Sequence, residues 1–318
     1  MSQPVVTGGA GFIGSAVVRA LIAEGAARVT VIDNFATGRR ANLKEVAGQV
    51  DVLEADLCDY ESIAPAVEGA PVVFHLAAIP SVPRSITEPV LAHRSNVDGT
   101  FNLLLAAQRG GVGRVVYAAS SSAYGDTEVL PKTESMAPRP KSPYAAQKLM
   151  GEYYASVFAE CFGLETVSLR FFNVFGPRQD PSSPYSGVLS IFMKCILERR
   201  PPTIYGDGEQ SRDFTYVEDV AALCLKAAQA GDVSGQVFNA GNGGRFTLNQ
   251  VWRMLCEIEG VSIEPVYGPP RAGDVRHSQA DLSAAAACLG HAPRFSLEEG
   301  LRRTLDWYRA QQFETSKS

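Results

Sequence analysis

Short runs of β-branched and other apolar residues alternate with longer segments of helical periodicity in the first half of the chain. Strands that alternate with helices in this way predict an α/β fold, in which helices cover a parallel sheet. The predicted strands are residues 4–7, 28–32, 50–54, 71–76, 114–120 and 166–170.

Two long helices are expected between these strands. Residues 91–108 carry an apolar stripe that consists of Val97, Phe101, Leu104 and Leu105. Ser142-Pro143 is typical of an N-cap followed by proline at the first helical position. Tyr144 is therefore predicted in the first turn of a helix that runs to about Cys161.

The alternation of strand and helix patterns is less regular after Arg170. Residues 173–185 are rich in turn formers and predict a long loop, a kind of segment that is usually functional or mobile. Strand and helix patterns then alternate over 203–205, 217–229, 236–240, 248–257, 262–266 and 297–308. We expect a larger domain over residues 1–172 and a smaller α/β lobe over 173–318, with at least one strand returning to the main sheet.

Composition narrows the function classes. The 318 residues are long for one compact core, and 46% hydrophobic with 20% charged residues is ordinary for a globular protein. A net charge of -5 gives no reason to expect nucleic acid or an anionic membrane as a partner. No apolar run approaches the ~20 residues that span a bilayer, and the N-terminus lacks a signal-type segment. We expect a cytoplasmic protein.

The cysteines are widely scattered. No CxxC pair occurs among the cysteines. The pattern predicts buried reduced thiols and no metal site. The six positions are Cys58, Cys161, Cys195, Cys224, Cys256 and Cys288.

A glycine-rich element lies between the first strand and the first helix, Thr7-Gly-Gly-Ala-Gly-Phe-Ile-Gly14. Its glycines at 8, 11 and 14 permit a tight turn and a close backbone approach to a pyrophosphate, which the helix N-terminus stabilises. A plain strand-to-helix turn is the alternative. The context favours a dinucleotide site, with Phe12 and Ile13 opening the helix.

Asp33 strengthens this hypothesis, because it lies near the end of the second strand, where an acid can accept hydrogen bonds from the adenosine ribose. An acid there repels the 2′-phosphate of NADP, so NAD is favoured. Arg39 and Arg40 could instead reach a phosphate, although solvated loop charges are the preferred interpretation. The candidate cofactor residues are Gly8, Gly11, Phe12, Ile13, Gly14, Asp33, Asn34, Phe35, Thr37, Gly38, Asp56, Leu57, Leu76, Ala77, Ala78, Asn96, Tyr144, Lys148 and Phe171.

Tyr144 and Lys148 are four residues apart, so they lie on one helix face. Free tyrosine titrates near 10, and a phenolate at neutral pH needs a shift of about three units, or ~4 kcal/mol. The Lys148 ammonium and the pyridinium of NAD+ could together supply it. A surface tyrosine with a solvated lysine is the alternative, but the position after the fifth strand favours a catalytic pair.

Ser120-Ser121-Ser122 ends that fifth strand. One of these hydroxyls could bridge a substrate hydroxyl and the phenolate as a proton relay. Ser120 is preferred because it lies at the strand tip, while Ser121 and Ser122 stay possible and at least one of the three is expected to serve only the turn.

These residues carry a resemblance to the extended short-chain dehydrogenase/reductase superfamily, and within it to nucleotide-sugar 4-epimerases. The resemblance runs nearly end to end. It includes residues 7–14, 33–35, 76–78, 96–100, 120–125, 144–148 and 170–177, together with Ser211-Arg-Asp-Phe214 and Arg271-Ala-Gly-Asp274.

The resemblance implies a Rossmann-type doubly wound sheet and a UDP-hexose whose C4 hydroxyl is oxidised by tightly held NAD+. The 4-keto sugar rotates, and hydride returns to the opposite face. Tyr144 is the implied base and acid, Ser120 the relay, and Lys148 the residue that orients and tunes the phenolate. A homodimer, formed through helices 91–108 and 144–161, is also implied.

The same resemblance implies a substrate site. Asn173, Arg212 and Arg271 resemble residues that bind the diphosphate, which isolated arginines suit, and Asp274 resembles the acid that binds the uridine ribose. The implied substrate residues are Ser81, Arg84, Ser122, Tyr144, Asn173, Val188, Tyr205, Arg212, Arg271, Asp274 and Ser278.

Departures from related patterns refine the expected reaction. Ser120-Ser121-Ser122 replaces the Thr-Asp-Glu of 4,6-dehydratases, which disfavours dehydration. Asp180 follows Arg178 where UDP-glucuronate 4-epimerases usually carry a second basic residue. Ser278 is small where strict UDP-galactose epimerases carry tyrosine, which resembles enzymes that admit N-acetylated sugars. The chain is therefore most similar to UDP-N-acetylglucosamine 4-epimerases of the bacterial surface-polysaccharide type.

Other interpretations stay open. A UDP-glucuronate 4-epimerase, another sugar-nucleotide epimerase or a reductase would share this fold. A non-catalytic NAD-sensing protein is a remote alternative, which the Tyr144–Lys148 pair disfavours because a sensor needs no proton relay. UDP-GlcNAc/UDP-GalNAc interconversion, with activity on UDP-glucose and UDP-galactose, is preferred.

Overall fold

Seven parallel strands form one central sheet in the computed structural model, which describes residues 3–180, 187–270 and 275–315. The spatial order is β3-β2-β1-β4-β5-β6-β11. The order in which successive strands are added reverses at β1, which lies between β2 and β4. Val6 of β1 pairs with Val31 on one side and with Phe74 on the other. The strands are β1 Val5–Thr7, β2 Val29–Asp33, β3 Val50–Glu54, β4 Val73–His75, β5 Val115–Ser120, β6 Thr166–Phe171 and β11 Gln236–Ala240.

Helices cover both faces of this sheet, so the predicted Rossmann-type α/β architecture is confirmed. All six predicted strands of the first half exist, with bounds that differ by at most two residues. The helices are α1 Phe12–Ala23, α2 Tyr60–Val67, α3 Val82–Thr87, α4 Pro89–His93, α5 Gly99–Arg109, α6 Pro143–Phe162, α7 Val188–Leu197, α8 Val217–Gln229, α9 Leu248–Glu259, α10 Ser283–Leu289 and α11 Leu297–Thr315.

The single helix predicted over 91–108 was wrong. A π-helical turn, Arg94–Asp98, separates α4 from α5. Asn96 in this turn uses its amide to bond both backbone groups of Ile79, which is a tertiary constraint that periodicity cannot reveal. Phe101 of the predicted apolar stripe is 38% exposed, and its ring contacts Tyr154 and Phe158 of α6.

The helix that carries Tyr144 begins as predicted. Ser142 Oγ accepts a hydrogen bond from the Ala145 amide at 3.2 Å, Pro143 occupies the first helical position, and Gly163 ends the helix with φ of 68°. The Tyr144 amide, which has no partner within the helix, donates to Ser85 Oγ of α3 at 3.1 Å. The first turn of α6 is therefore fixed from outside as well as by its own cap.

Two elements of the second half complete the main layer. Strand β11 joins the sheet beside β6, as predicted, pairing Ala240 with Phe171, and α8 packs against α1 in one core cluster. A second core cluster unites α7, α9 and α11 around Phe192, Trp252 and Leu301. The division at residue 172 stays a prediction.

The smaller strands lie in pairs outside the main sheet: β7 Val174–Phe175 with β10 Thr215–Tyr216, β8 Thr203–Tyr205 with β13 Val266–Gly268, and β9 Ser211–Arg212 with β12 Phe246–Thr247. The loop predicted over 173–185 thus contains a short strand, and its residues 181–186 lie outside the described residues. The strand predicted over 262–266 was misplaced, because the pairing that creates β13 is with β8, which is distant in sequence.

The cysteine prediction was wrong in part. Cys195, Cys224 and Cys256 are buried, but Cys161 and Cys288 are exposed, and all six thiols are free. Cys161 lies in the last turn of α6, where the helix leaves the core. In the described parts of the chain, no helix combines the length and apolarity that a membrane span requires.

Asp213 joins the lobe to the end of β11. Its side chain is fully buried and accepts hydrogen bonds from the amides of Asn242 at 2.8 Å, Gly243 at 2.9 Å and Ala280 at 3.0 Å. Burial raises the pKa of Asp213 to about 6, although the three amides oppose this shift. Folding therefore favours the protonated form of Asp213 over its carboxylate, relative to the unfolded chain.

We predict that the wild-type protein gains about 1 kcal/mol of unfolding free energy relative to Asp213→Asn between pH 7 and pH 5. The folded pKa lies above the unfolded value, so this contribution is complete at low pH and is lost as pH rises through about 6. Urea denaturation at both pH values measures it, and Asp59→Asn, at an exposed position, is the control. Parallel pH dependences for wild type and Asp213→Asn would contradict the prediction.

Candidate active site

The carboxyl ends of the parallel strands meet at one edge of the sheet, and the predicted site residues follow them there. The glycine turn follows β1, Asp33 ends β2, Ala77 follows β4 and Ser120 ends β5. This edge, at the reversal of strand order, is where ligands bind in open α/β sheets.

The glycine turn brings two backbone segments closer than side chains would allow. Gly8 has φ of 67°, and a Cβ there would lie 2.7 Å from Ala77 Cα. A Cβ on Gly14 would lie 2.0 Å from the Gly8 carbonyl oxygen. Gly11 caps α1 without a side chain, and no acid occupies the first turn, so the helix N-terminus presents its amides to an anion. These features fit a pyrophosphate.

Asp33 lies beside this turn with 7% of its surface exposed. Its Oδ1 accepts from the Phe35 amide at 2.8 Å and its Oδ2 from the Ala10 amide at 2.9 Å. Burial raises the pKa of Asp33, and these two hydrogen bonds oppose the shift. A Cβ on Gly38 would lie 2.7 Å from Oδ1, so glycine there lets the loop pass the carboxylate.

Both arginines that could have received a 2′-phosphate are paired with carboxylates. Arg39 pairs with Asp180, while Arg40 pairs with Glu54 and lies over the Phe35 ring at 4.2 Å. Asp33 is left as the charged group beside the glycine turn. The residues of this edge therefore fit a dinucleotide whose ribose carries free hydroxyls.

The other predicted cofactor residues divide by exposure. Burial alone would raise the pKa of Asp56. Hydrogen bonds from the Cys58 amide and from the Asn34 side chain, the latter at 3.0 Å, outweigh burial and lower this pKa. Thr37 is exposed, whereas the side chain of Leu57 is packed in the core. Phe12, Ile13, Leu76, Ala77, Ala78 and Phe171 are half-buried along the edge.

Asn96 is buried, and its amide is engaged with protein groups. Its Oδ1 accepts from the Ile79 amide at 2.7 Å, and its Nδ2 donates to the Ile79 carbonyl at 3.2 Å and to Gln147 Oε1 at 2.9 Å. Asn96 thus ties the loop after β4 to α6. Its contact with a cofactor stays a prediction.

A buried polar chain beneath the site escaped the sequence analysis. Thr100 Oγ1 donates to the Asn96 carbonyl at 2.8 Å, so it accepts from His75 Nε2–H at 2.9 Å. His75 Nδ1 then accepts from the Thr7 hydroxyl at 2.8 Å. Burial lowers the pKa of His75 to about 3, so the ring is neutral. The sequence signal that could have revealed this polar chain is a histidine inside an otherwise apolar strand.

Tyr144 and Lys148 face the sheet from α6. Lys148 is 4% exposed, and its Nζ lies 4.8 Å from the centre of the Tyr117 ring. Burial lowers the pKa of Lys148 to about 7, opposed by Glu152. Burial also raises the pKa of Tyr144, and the neighbouring Ser120 hydroxyl opposes this shift. Burial therefore disfavours the Tyr144 phenolate, and the joint action of Lys148 and a pyridinium on it stays a prediction.

Hydrogen-bond direction separates the three serines. The amide of Ser122 donates to Ser120 Oγ at 3.2 Å, and the Ser122 hydroxyl donates to it at 2.8 Å. Ser120 therefore keeps its own proton to donate, and its nearby hydroxyl lowers the pKa of Tyr144. Ser121 and Ser122 are in a 3-10 turn, Ser121–Tyr124.

The predicted substrate residues fall into two groups. On the sheet side, Ser81 caps α3 through the Arg84 amide, and the Arg84 side chain pairs with Glu88. Asn173 is exposed after β6 with φ of 24°.

In the lobe, the Ser278 amide donates to the Ser211 carbonyl at 3.0 Å, and Arg212 donates to the Arg276 carbonyl at 3.3 Å, which holds residues 276–278 against β9. Val188 begins α7 and Tyr205 ends β8. Arg271 and Asp274 lie outside the described residues.

Two charged residues at this site were not assigned a role from sequence. Glu152 and Arg170 form an ion pair with side-chain exposures of 2% and 5%. The sequence signals that could have pointed to this pair are an acid four residues after Lys148 and a lone arginine in an apolar strand. Among the described residues, no cluster of His, Cys, Asp and Glu could hold a metal ion.

Comparison with known proteins agrees with this geometry. Residues 5–241 match the family described as NAD dependent epimerase/dehydratase. A UDP-glucose 4-epimerase of Mycolicibacterium smegmatis is 37% identical over 96% of this chain and 98% of that protein. A UDP-glucuronate 4-epimerase of Thermodesulfobacterium geofontis is 32% identical over 96% of each.

Solved structures are similarly close. A UDP-N-acetylglucosamine 4-epimerase from Methanobrevibacter ruminantium, in complex with UDP-N-acetylmuramic acid, has a TM-score of 0.93 and 39% identity, covering 98% of this chain and 99% of its own. A Thermus thermophilus UDP-glucose 4-epimerase complex with NAD has a TM-score of 0.87 and 38% identity over 96% and 99%. With its matching sequence, its parallel sheet and its glycine turn, this chain belongs to the NAD dependent epimerase/dehydratase family.

Proposed function

We propose that this protein is an NAD-dependent isomerase that inverts C4 of UDP-hexoses through a transient 4-keto sugar. The observation that carries the proposal is that Tyr144 and the buried Lys148 lie one turn apart on α6, close enough to Ser120 for its hydroxyl to lower the pKa of Tyr144, at the strand edge that also holds the glycine turn. Family membership and the relatives named as UDP-sugar 4-epimerases support it.

In this mechanism Tyr144 removes the proton of the C4 hydroxyl, directly or through Ser120, and later returns it. NAD+, held by the glycine turn and Asp33, would accept the hydride, and its pyridinium would add positive charge that offsets the effect of burial on the pKa of Tyr144. Lys148, with its pKa near 7, orients and tunes the phenolate. Asn173, Arg212 and Arg271 hold the diphosphate, and Asp274 the uridine ribose.

The cofactor is NAD, tightly held by the backbone of the glycine turn and by Asp33. Retention suits the reaction, since the hydride taken from C4 must return to the same sugar. The location is proposed to be cytoplasmic.

The favoured substrates are UDP-GlcNAc and UDP-GalNAc, with UDP-glucose and UDP-galactose also accepted. Ser278 provides the small side chain that an N-acetyl group requires, and its amide is fixed on Ser211. UDP-glucuronate is the second candidate, since relatives include UDP-glucuronate 4-epimerases. Arg178, which could have met a sugar carboxylate, instead pairs with Glu45 at 2.6 Å. A non-catalytic NAD sensor is disfavoured by the complete relay.

The protein is also proposed to form a homodimer through α4, α5 and α6. Exposed apolar residues recur at helical spacing on α6, at Met150, Tyr153 and Val157, and continue to Phe101 and Val90. Such a patch on adjacent helices is typical of an interface. No other role for the patch is needed.

For this interface, we predict that sedimentation equilibrium gives a dimer for wild type and a weaker dimer or monomer for Val157→Glu, because the change buries an unpaired charge. Val52→Glu, at an exposed apolar position on β3, is the matched control. A monomeric wild type would contradict the proposal.

For the relay, we predict that Tyr144→Phe lowers C4 inversion by about 10²–10⁴-fold while NAD and UDP-sugar binding persist, because only the proton-transferring oxygen is removed. UDP-galactose, UDP-GalNAc and UDP-glucuronate are incubated separately, and inversion is followed by NMR. Binding is measured by calorimetry.

Ser121→Ala is the control for this experiment and should keep most activity, whereas Ser120→Ala should lose more than Ser121→Ala. Wild-type turnover in Tyr144→Phe would refute the mechanism. Absence of inversion and of reduced cofactor with every UDP-sugar would favour a sensor instead.

For substrate choice, we predict that Ser278→Tyr lowers kcat/KM for UDP-GalNAc at least about tenfold more than for UDP-galactose, because the ring fills the space of the N-acetyl group. Ser283→Tyr, an exposed serine at the start of α10, controls for the added ring. Equal losses on both substrates would mean that Ser278 does not select the sugar.

A further inference from the structure

Glu152 continues the face of α6 that carries Tyr144 and Lys148, because it follows Lys148 by one more helical turn. Its carboxylate is almost completely buried. Both oxygens accept hydrogen bonds from Arg170: Nε donates to Oε1 at 3.0 Å and to Oε2 at 3.2 Å, and Nη2 donates to Oε2 at 2.8 Å. The carboxylate is therefore held in one orientation.

Arg170 is itself fixed from other elements. It lies near the end of β6, and its guanidinium is stacked over the Tyr124 ring at 4.6 Å. Tyr124 ends the serine-bearing 3-10 turn, and its hydroxyl donates to Asn239 Oδ1 of β11 at 2.6 Å. One arginine thus joins the serine turn, α6 and the sheet.

The charged and titratable groups that face Lys148 come from three elements. His75 of β4 is neutral, Tyr117 of β5 offers its ring, and α6 contributes Tyr144 and Glu152. Glu152 supplies the negative charge in this set. Because burial brings the pKa of Lys148 to about 7, the opposing effect of Glu152 decides how much of the ammonium exists near neutral pH.

Arg170 determines how Glu152 acts. A buried carboxylate without a partner would attract the Lys148 ammonium and pair with it directly. With both oxygens engaged by Arg170, Glu152 acts on Lys148 through space, and the described residues show no hydrogen bond between the two. The Lys148 ammonium instead lies against the Tyr117 ring, 4.8 Å from its centre.

We infer that Glu152 and Arg170 are positioning residues that set the electrostatic environment of Lys148, and thereby the pH range in which the Tyr144 relay works. The inference rests on the proposed epimerase function. It assigns a role in the reaction to a pair that touches neither substrate nor cofactor.

The test is the pH profile of kcat for Glu152→Gln, with the enzyme loaded with NAD. Removing the anion leaves Arg170 uncompensated, and added positive charge favours loss of protons from both Tyr144 and Lys148. Both limbs of the profile should move to lower pH by about one unit. Glu160→Gln, on the exposed side of α6, is the matched control and should leave the profile unchanged.

Since breaking a buried pair can prevent folding, a second variant removes both charges. Glu152→Gln with Arg170→Gln should shift the limbs in the same direction by a smaller amount, because Lys148 loses the nearer anion and the farther cation. A fall in kcat with unmoved limbs in whichever variants fold would mean that the pair only packs, and would overturn the inference.

A readout without turnover separates this inference from the proposed function. Phenolate absorbance of the NAD-loaded protein, minus that of its Tyr144→Phe counterpart, titrates Tyr144 directly. A downward shift with Glu152→Gln in a protein that epimerises no UDP-sugar would keep the pair's role and reject the epimerase. An unshifted Tyr144 titration in an enzyme that epimerises UDP-sugars would reject the role of the pair and keep the epimerase.

Discussion

The desolvation of three ionisable side chains on one face of α6 is the constraint on which the site depends. Lys148 and Glu152 are buried and Tyr144 is half-buried, so charge on this face is costly unless it is compensated. Burial pushes the tyrosine toward its neutral form and the lysine toward deprotonation. Each is opposed by a specific neighbour, Ser120 for the tyrosine and Glu152 for the lysine, and Glu152 in turn is neutralised by Arg170.

Burial raises the pKa of Tyr144, so in the proposed reaction the positive charge of an oxidised nicotinamide would be what favours the phenolate. Coupling proton removal to the presence of the hydride acceptor links the two halves of the proposed reaction. The chain of hydrogen bonds through His75 below adds no competing charge, because the ring is neutral, with its one proton on Nε2 donated to Thr100 and its Nδ1 accepting from Thr7.

Local signals predicted much of the fold, and the failures have a common cause. The cap at Ser142 and Pro143 and the strand β3 depend on nearby residues, and they were placed well. The π turn at Arg94–Asp98 and the strand β13 depend on partners far along the chain, namely Ile79 and β8. Sequence periodicity contains no information about such partners. The exposure of Cys161 likewise follows from where α6 leaves the core.

By itself, the sequence determined the α/β class, the family and the identity of the chemical groups, because glycine spacing, the Asp33 carboxylate and the Tyr144–Lys148 interval are properties of short segments. The tertiary structure decided how those groups behave. It placed Ser120 where its hydroxyl lowers the pKa of Tyr144, left Arg39 and Arg40 paired with carboxylates, and buried Glu152 against Arg170. Burial and hydrogen-bond direction arise only when distant segments meet, so no pattern along the chain could have given them.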